Sequence, residues 1–163
     1  MTCSATGLAA EPAARQLPEK VAEMRRKTVA AAVACDYRAL ESLALEINRT
    51  FSFSFGGGTS PAEYWQQAEE AGSDEPMRLL VQTMNLPYFT TEGTVSPTDP
   101  TPVTLYVWPT AHRPDATDAD WKAVEPLYGA DTIRQMREGG SGFLGYRAAI
   151  TESGDWTYFI AGD

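Results

Sequence analysis

The stretch LGYRAAITESGDWTYFIA, residues 144–161, indicates the fold class most directly. On both sides of Glu152-Ser153-Gly154-Asp155 the large apolar side chains fall on alternate positions, which is the period of a β-strand. Glycine and aspartate at this place supply the positive φ angles that a tight turn between two strands requires. The stretch therefore predicts a C-terminal antiparallel β-hairpin that turns at residues 152–155.

The first part of the chain predicts two helices joined by a tight junction. Pro18 suits the opening turn of a helix, because its missing N–H would have no intrahelical partner there. Apolar side chains then recur at helical spacing up to Cys35. Asp36 is a predicted N-cap for a second helix over residues 37–45, and we expect the two helices to meet at an angle.

Capping signals predict several later helices. Ser60-Pro61-Ala62-Glu63 combines a serine cap, a proline in the first turn and a glutamate that reaches back, which predicts a helix ending at Gly72. Further starts are expected at Asp74, at Thr117 and at Asp131, the last of which precedes helical turns over residues 132–137.

Two strands are expected upstream of the hairpin. Phe51-Ser52-Phe53-Ser54-Phe55 alternates strictly and is followed by three glycines, and residues 103–108 alternate in the same way. Residues 87–102 are rich in Pro, Thr, Gly and Asp and predict a loop, in which a short extended piece at Tyr88-Phe89 stays open. Together these elements predict a flexible leader over residues 1–17 and a single α+β domain over residues 18–163.

The composition favours a soluble folded domain that does not bind nucleic acid. The 163 residues carry 13 Lys and Arg against 22 Asp and Glu, a formal net charge of −9. This charge repels phosphate backbones and anionic membrane surfaces. No stretch approaches the ~20 apolar residues that span a bilayer. We expect a small molecule or a protein as the partner, and no transmembrane segment.

The N-terminal leader bears on localisation. Its small, nearly uncharged residues suit the mature start of an exported protein or a disordered cytosolic leader, and we favour export. Cys3 and Cys35 form either one disulfide or two unrelated thiols. A metal site is not expected, because the chain has two distant cysteines and a single histidine, far from both.

Two stretches resemble the NTF2-like (cystatin-like) α+β superfamily, which includes SnoaL-like and ketosteroid-isomerase-like proteins. AAAVACDYRAL, residues 30–40, resembles its opening of a long helix, an acidic cap and a short helix, and residues 145–163 are similar to its closing hairpin. The tail also resembles the ends of uncharacterised exported bacterial proteins. The predicted helices over residues 118–137 depart from the family pattern.

The resemblance implies a curved antiparallel sheet packed on the N-terminal helices, a cone that encloses a pocket. Cones of this kind host enzymes, binding modules and dimerisation domains alike. It therefore implies no single reaction, and a homodimer stays open.

Aromatic side chains are the first candidates for a binding site. If the sheet curves, Tyr106, Trp108 and Tyr146 could line a cavity with flat apolar walls and polar tips; the alternative is ordinary core packing. The candidate ligand-binding residues are Tyr64, Trp65, Tyr106, Trp108, Tyr146 and Arg147. Arg147 lies in an otherwise apolar strand and needs a carboxylate partner, either an internal one such as Asp36 or Asp163, or one on a ligand.

Two side chains are candidate general bases. His112 is the only histidine and lies on a predicted surface loop, where it either has no role or acts at a pocket mouth. Asp36 is either a helix cap or, in an NTF2-like cone, a buried carboxylate with a raised pKa. No motif specifies a cofactor, and Gly56-Gly57-Gly58 lacks the lysine of a phosphate-binding loop.

The sequence leaves three functions open. The leading hypothesis is non-catalytic binding of a small or peptidic ligand, or of a partner protein, in an aromatic-lined pocket. The alternative is a cofactor-independent isomerase, cyclase or hydrolase with Asp36 or His112 as base. The third is an interaction or inhibitor protein that works through its acidic surface.

Overall fold

The computed structural model describes residues 3–13, 15–46, 51–54 and 60–162. It confirms an α+β fold in which helices precede an open antiparallel sheet. The first helices are α1 (Glu19–Val33), α2 (Tyr37–Leu45), α3 (Pro61–Ala71) and α4 (Pro76–Met84), and they are followed by β1 (Phe89–Ser96) and β2 (Asp99–Trp108). A 3-10 turn (Thr110–His112) then leads to α5 (Asp118–Ala123), α6 (Glu125–Tyr128) and α7 (Ala130–Gly139), and the last strands are β3 (Arg147–Thr151) and β4 (Trp156–Ile160).

The four strands follow one another in the sheet in chain order, each antiparallel to its neighbour. The predicted C-terminal hairpin is confirmed as β3 and β4. Gly154 adopts a φ of +92° in its turn, and its N–H donates to the carbonyl of Thr151 at 2.8 Å. The tight turn sets the register in which Ala148 faces Phe159.

One face of the sheet packs on helices α1–α4. Trp108, Ala148 and Ile150 lie in this core and are almost completely buried. Trp65 of α3 stacks on Trp156 of β4 with ring centroids 5.9 Å apart. Many of the aromatic side chains therefore belong to the core between the sheet and the helices.

The opposite face carries a smaller apolar cluster of Leu105, Val107 and Ala149, flanked by half-buried Phe89 and Tyr158. Ala149 is fully buried, and the other residues of β3 are buried or nearly so. β3 is thus an inner strand of the sheet that is covered on both faces and paired on both edges.

The prediction of a loop over residues 87–102 is wrong. β1 and the start of β2 form a hairpin there, with Gly93 opposite Val103. β3 pairs with β2 only from Leu105 onward. Pro100 and Pro102 therefore lie where this edge of β2 has no neighbouring strand, and proline is tolerated at such an edge. The exposed edge also lacks the apolar alternation of a half-buried strand.

The predicted strand at residues 51–55 is reduced to one bridge within its described part. Ser52 pairs in parallel with Tyr158 of β4, and Phe51 packs at 4.6 Å from the ring of Trp156. Phe55 and the three glycines after it lie outside the described residues.

Most helix starts follow their predicted caps. Asp36 accepts a hydrogen bond from the N–H of Ala39 at 3.0 Å, Ser60 caps α3, and Thr117 closes a capping box at the start of α5. The prediction that Asp74 caps the next helix is wrong, because α4 starts at Pro76 with Glu75 as its cap residue.

The start of the last helix is also earlier than predicted. α7 begins at Ala130, directly after Gly129, whose φ of +90° turns the chain out of α6. Asp131 therefore lies in its first turn rather than at its cap, where an acidic side chain still favours the helix dipole.

The segment before α1, expected to be a flexible leader, has neither helix nor strand in its described residues 3–13 and 15–18, yet it contacts the helices at many points. A disulfide joins Cys3 to Cys35, so the paired alternative holds for the two cysteines. Ala5 is fully buried. Farther along, the guanidinium of Arg25 in α1 donates to the carbonyl of Glu11 at 2.8 Å.

Glu69 is a buried carboxylate that connects this segment to two helices. It accepts hydrogen bonds from the N–H and the hydroxyl of Ser4, each at 2.6 Å. It also accepts one at 3.1 Å from the N–H of Met77, in the first turn of α4, where the helix dipole favours a negative charge. Three charge-assisted bonds offset the cost of burying this carboxylate.

No helix in the described part of the chain is long and apolar enough to cross a membrane.

Reduction of the disulfide should destabilise the fold. The two cysteines are 32 residues apart in sequence, and opening a loop of this size should cost about 3–4 kcal/mol of unfolding free energy through the entropy of the unfolded chain. Urea unfolding with and without reductant measures this loss, and the variant Cys3→Ser/Cys35→Ser should reproduce it. Equal midpoints in both states would contradict the structure here.

Glu69→Gln should also destabilise the fold, by about 2–3 kcal/mol. The variant replaces one carboxylate oxygen by an NH2 group, which cannot accept the hydrogen bonds that the buried donors make to that oxygen. Glu70→Gln is the matched control, since Glu70 is exposed one position along the same helix. Urea unfolding should show a loss for the first variant and almost none for the second. Equal losses in both would rule out the role assigned to Glu69.

Candidate functional site

A cleft of about 450 Å³ opens beside the start of β3. Its walls are formed by the 3-10 turn after β2, the start of α5, the segment before β3 and the segment after β4. Three basic side chains line it: His112, Arg113 and Arg147. No acidic residue is among the described residues that line it. In a chain with a net charge of −9, this is a local reversal of sign.

The position of His112 follows from the way the chain leaves β2. The N–H of His112 donates to the carbonyl of Pro109 at 3.0 Å, which closes the turn. Ala111 next to it is buried in a small core with Trp121 and Phe143. The turn is thus anchored on α5, and the imidazole lies 6.4 Å from the ring of Phe89.

Arg147 reaches the cleft because it is the first residue of β3. Only 9% of its surface is exposed, and its Nη1 donates to the carbonyl of Gly162 at 2.6 Å. Arg147 also takes part in a further interaction. Asp36 is not its partner, since it caps α2, and Asp163 lies outside the described residues.

Burial and the charge of Arg147 set the protonation of the site. Burial, and to a lesser extent the positive charge of Arg147, lower the pKa of His112 from its ordinary value of 6.5 to about 4. Burial raises the pKa of Tyr158 to about 12, with Arg147 opposing the rise. At neutral pH the imidazole is therefore uncharged and the phenol protonated, so the positive charge of the cleft comes from its arginines.

Arg113 shares its charge with a neighbour outside the cleft. Its Nε and Nη2 donate to the two carboxylate oxygens of Asp115 at 3.2 and 3.3 Å. The Asp115 side chain is 76% exposed, so this pair is screened by water. Arg147 is the more deeply placed of the two guanidinium groups.

The walls between these polar groups are apolar. Trp121 and Phe143 contribute ring surface, with centroids 6.1 Å apart in an edge-to-face arrangement. Both are mostly buried, and both line the cleft. The arrangement offers N–H donors and positive charge on one side and flat hydrocarbon on another.

The other predicted ligand-binding residues lie away from the cleft. Trp65, Trp108 and Tyr146 are buried in the core, Tyr106 is half-buried on the same sheet face, and Tyr64 is exposed on α3. Of the predicted set, the cleft brings together Arg147 and the candidate base His112.

The hydroxyl of Tyr146 is already engaged. It donates to Asp74 at 2.5 Å, and burial together with this carboxylate raises the pKa of Tyr146 well above its ordinary value. The hydroxyl of Tyr128 accepts from the N–H of Tyr146 at 2.7 Å. These bonds join β3 to the helices, which is a structural role.

Sequence reasoning missed Arg113, Trp121 and Phe143, which line the cleft. Only Arg113 carried a signal, because it is adjacent to His112. The other two come from segments that only the folded chain brings together. Among the described residues, no group of three His, Cys, Asp or Glu side chains could hold a metal ion.

The pKa of His112 is directly measurable, because the chain has a single histidine. In a tag-free sample its ring protons should titrate by NMR with a pKa of about 4. Arg147→Gln should raise this pKa only part of the way to 6.5, since burial is the larger cause. A wild-type pKa near 6.5 would show that the imidazole is fully solvated.

The same shift has a consequence for stability. The unfolded chain binds a proton at His112 below pH 6.5 and the folded chain only below about 4, so this group makes the unfolding free energy fall as the pH drops through that window. His112→Asn should remove this part of the pH dependence, seen by urea unfolding at several pH values. An unchanged pH dependence would contradict the lowered pKa.

Compared with protein-family models, curated proteins and solved structures, the chain matches none of them. The site must therefore be interpreted from its own geometry.

Proposed function

We propose that this protein binds a small anionic ligand, without catalysing a reaction, in the cleft lined by His112 and Arg147. The observation that carries the proposal is the lining of the cleft: two arginines and a neutral histidine beside apolar walls, with no acidic side chain among the described residues that line it, in an acidic chain. A buried guanidinium next to apolar walls attracts a carboxylate strongly, because water screens it little.

The state of His112 supports binding rather than proton transfer. An imidazole with a pKa of about 4 is a weak base at neutral pH, when an efficient general base has a pKa close to the working pH. No carboxylate among the described residues hydrogen-bonds to the ring to orient it. In its neutral form it still offers one donor and one acceptor to a ligand.

Asp36 does not favour the enzymatic alternative either. It is exposed and accepts the hydrogen bond of a helix cap, whereas a catalytic carboxylate with a raised pKa requires burial. The isomerase, cyclase or hydrolase reading therefore depends on His112 alone.

The wider setting belongs to the same proposal. The two N-terminal helices joined at Asp36 and the closing hairpin support the NTF2-like cone, with the helices between β2 and β3 as an addition to it. The disulfide between Cys3 and Cys35 is compatible with an exported protein, since such bonds persist in oxidising compartments. The proposal also allows a homodimer, and it allows the acidic surface to bind a basic protein.

Benzoate is a suitable probe, because it combines a carboxylate with a ring that suits the apolar walls, and benzamide is its uncharged counterpart. The His112 ring signals should shift saturably with benzoate at pH 7, with a Kd of about 1 mM or lower. Benzamide should bind about tenfold more weakly, because it lacks the charge that Arg147 attracts.

Two charge-neutralising variants test whether the binding is local. Arg147→Gln should weaken benzoate about tenfold, and Arg147→Lys should recover part of the loss while keeping the charge. Arg134→Gln is the matched control, since Arg134 lies exposed on α7 outside the cleft. Equal affinities for benzoate and benzamide, or equal losses in Arg147→Gln and Arg134→Gln, would overturn the proposal.

A further inference from the structure

We propose that the cleft selects singly charged carboxylates that carry an apolar group over multiply charged anions such as phosphate. This inference rests on the proposed function and names the class of ligand for the same site. It follows from how much positive charge and how many free donors the cleft can offer, and from the chemistry of its walls.

The donors of the cleft are already partly used. Nη1 of Arg147 donates to the carbonyl of Gly162 at 2.6 Å, and this side chain has a further interaction. Two nitrogens of Arg113 are held by Asp115. The N–H of Gly162 is likewise committed, to the carbonyl of Leu144 at 2.9 Å. A ligand thus meets a small number of donors rather than a ring of them.

A phosphate dianion needs more than this. It carries two charges and several strongly accepting oxygens, and a charge that is desolvated without a partner is costly. His112 does not supply a second cation, because it is uncharged above its pKa of about 4. A carboxylate carries one charge and two oxygens, so it needs fewer donors and less positive charge than a phosphate dianion.

The walls add a preference for hydrocarbon next to that single charge. Trp121, Phe143 and Leu144 line the cleft together with Ala111 and Ala116. An apolar group of the ligand that leaves water against these side chains gains about 25 cal/mol per Å² of buried surface. Acetate has almost no such surface, so it should bind several-fold more weakly than benzoate.

Asp115 provides the sharpest test, because its carboxylate competes with a ligand for the guanidinium of Arg113. Asp115→Asn removes the competing carboxylate and returns the Arg113 charge to the site. The Asp115 side chain is 76% exposed, so the variant should fold normally. Asp131→Asn is the matched control, because Asp131 makes a similar exposed pair with an arginine on α7, outside the cleft.

The experiment compares benzoate, acetate and inorganic phosphate through the His112 NMR signals at equal ionic strength and at pH 8, where phosphate is mainly the dianion and His112 is uncharged. In the wild type, phosphate should bind about tenfold more weakly than benzoate. Asp115→Asn should raise the affinity for phosphate about threefold more than the affinity for benzoate, so the difference between the two anions becomes smaller. Asp131→Asn should leave both affinities unchanged.

Each outcome separates the inference from the function it deepens. If phosphate binds as tightly as benzoate, or acetate as tightly as benzoate, the selectivity is wrong while anion binding stands. If Asp115→Asn raises the affinity for both anions equally, the number of available donors does not set the selectivity. If none of the anions shifts the His112 signals, both the inference and the proposed function are overturned.

Discussion

The pairing of β3 with β2 on one side and β4 on the other is the constraint on which the rest of the molecule depends. All five residues of β3 are buried, and its small side chains Ala148 and Ala149 let the helices approach one face and the cluster around Leu105 the other. Because the register sets Trp108 opposite Ala148, the end of β2 and the start of β3 lie side by side. The 3-10 turn and Arg147 therefore meet at one end of the sheet.

This arrangement explains why a buried arginine is tolerated in an acidic protein. A buried charge is costly unless it is hydrogen-bonded, and the segment after β4 brings the carbonyl of Gly162 to Arg147. The buried negative charge of Glu69 is stabilised in the same way, by hydrogen bonds that Ser4 and Met77 donate to it. The two differ in one respect that matters for function: Arg147 lines an open cleft, whereas Glu69 is enclosed between packed segments.

The features that the sequence predicted correctly are those set by neighbours in the chain. The hairpin turn at Gly154 and the caps at Asp36, Ser60 and Thr117 each depend on a few consecutive residues. The β1–β2 hairpin was missed, because an exposed edge strand rich in threonine and proline lacks the apolar alternation that marks a half-buried strand.

The site was predictable only in part. Arg147 stood out as a charge in an apolar strand, and His112 as the single histidine, but nothing local indicated that they share a cleft. Trp65, Trp108 and Tyr146 have the side chains of a binding site, yet the helices cover them. Which aromatic residues face a cavity depends on which face of the sheet the helices take, and that is a property of long-range packing.

The most direct test of the central claim is a measurement of where a carboxylate ligand lies. Intermolecular NOEs between the ring protons of benzoate and those of the protein should connect the ligand to His112 and to Trp121, which lie on two walls of the cleft. NOEs that connect saturating benzoate only to residues elsewhere, or no NOEs at all, would contradict the account.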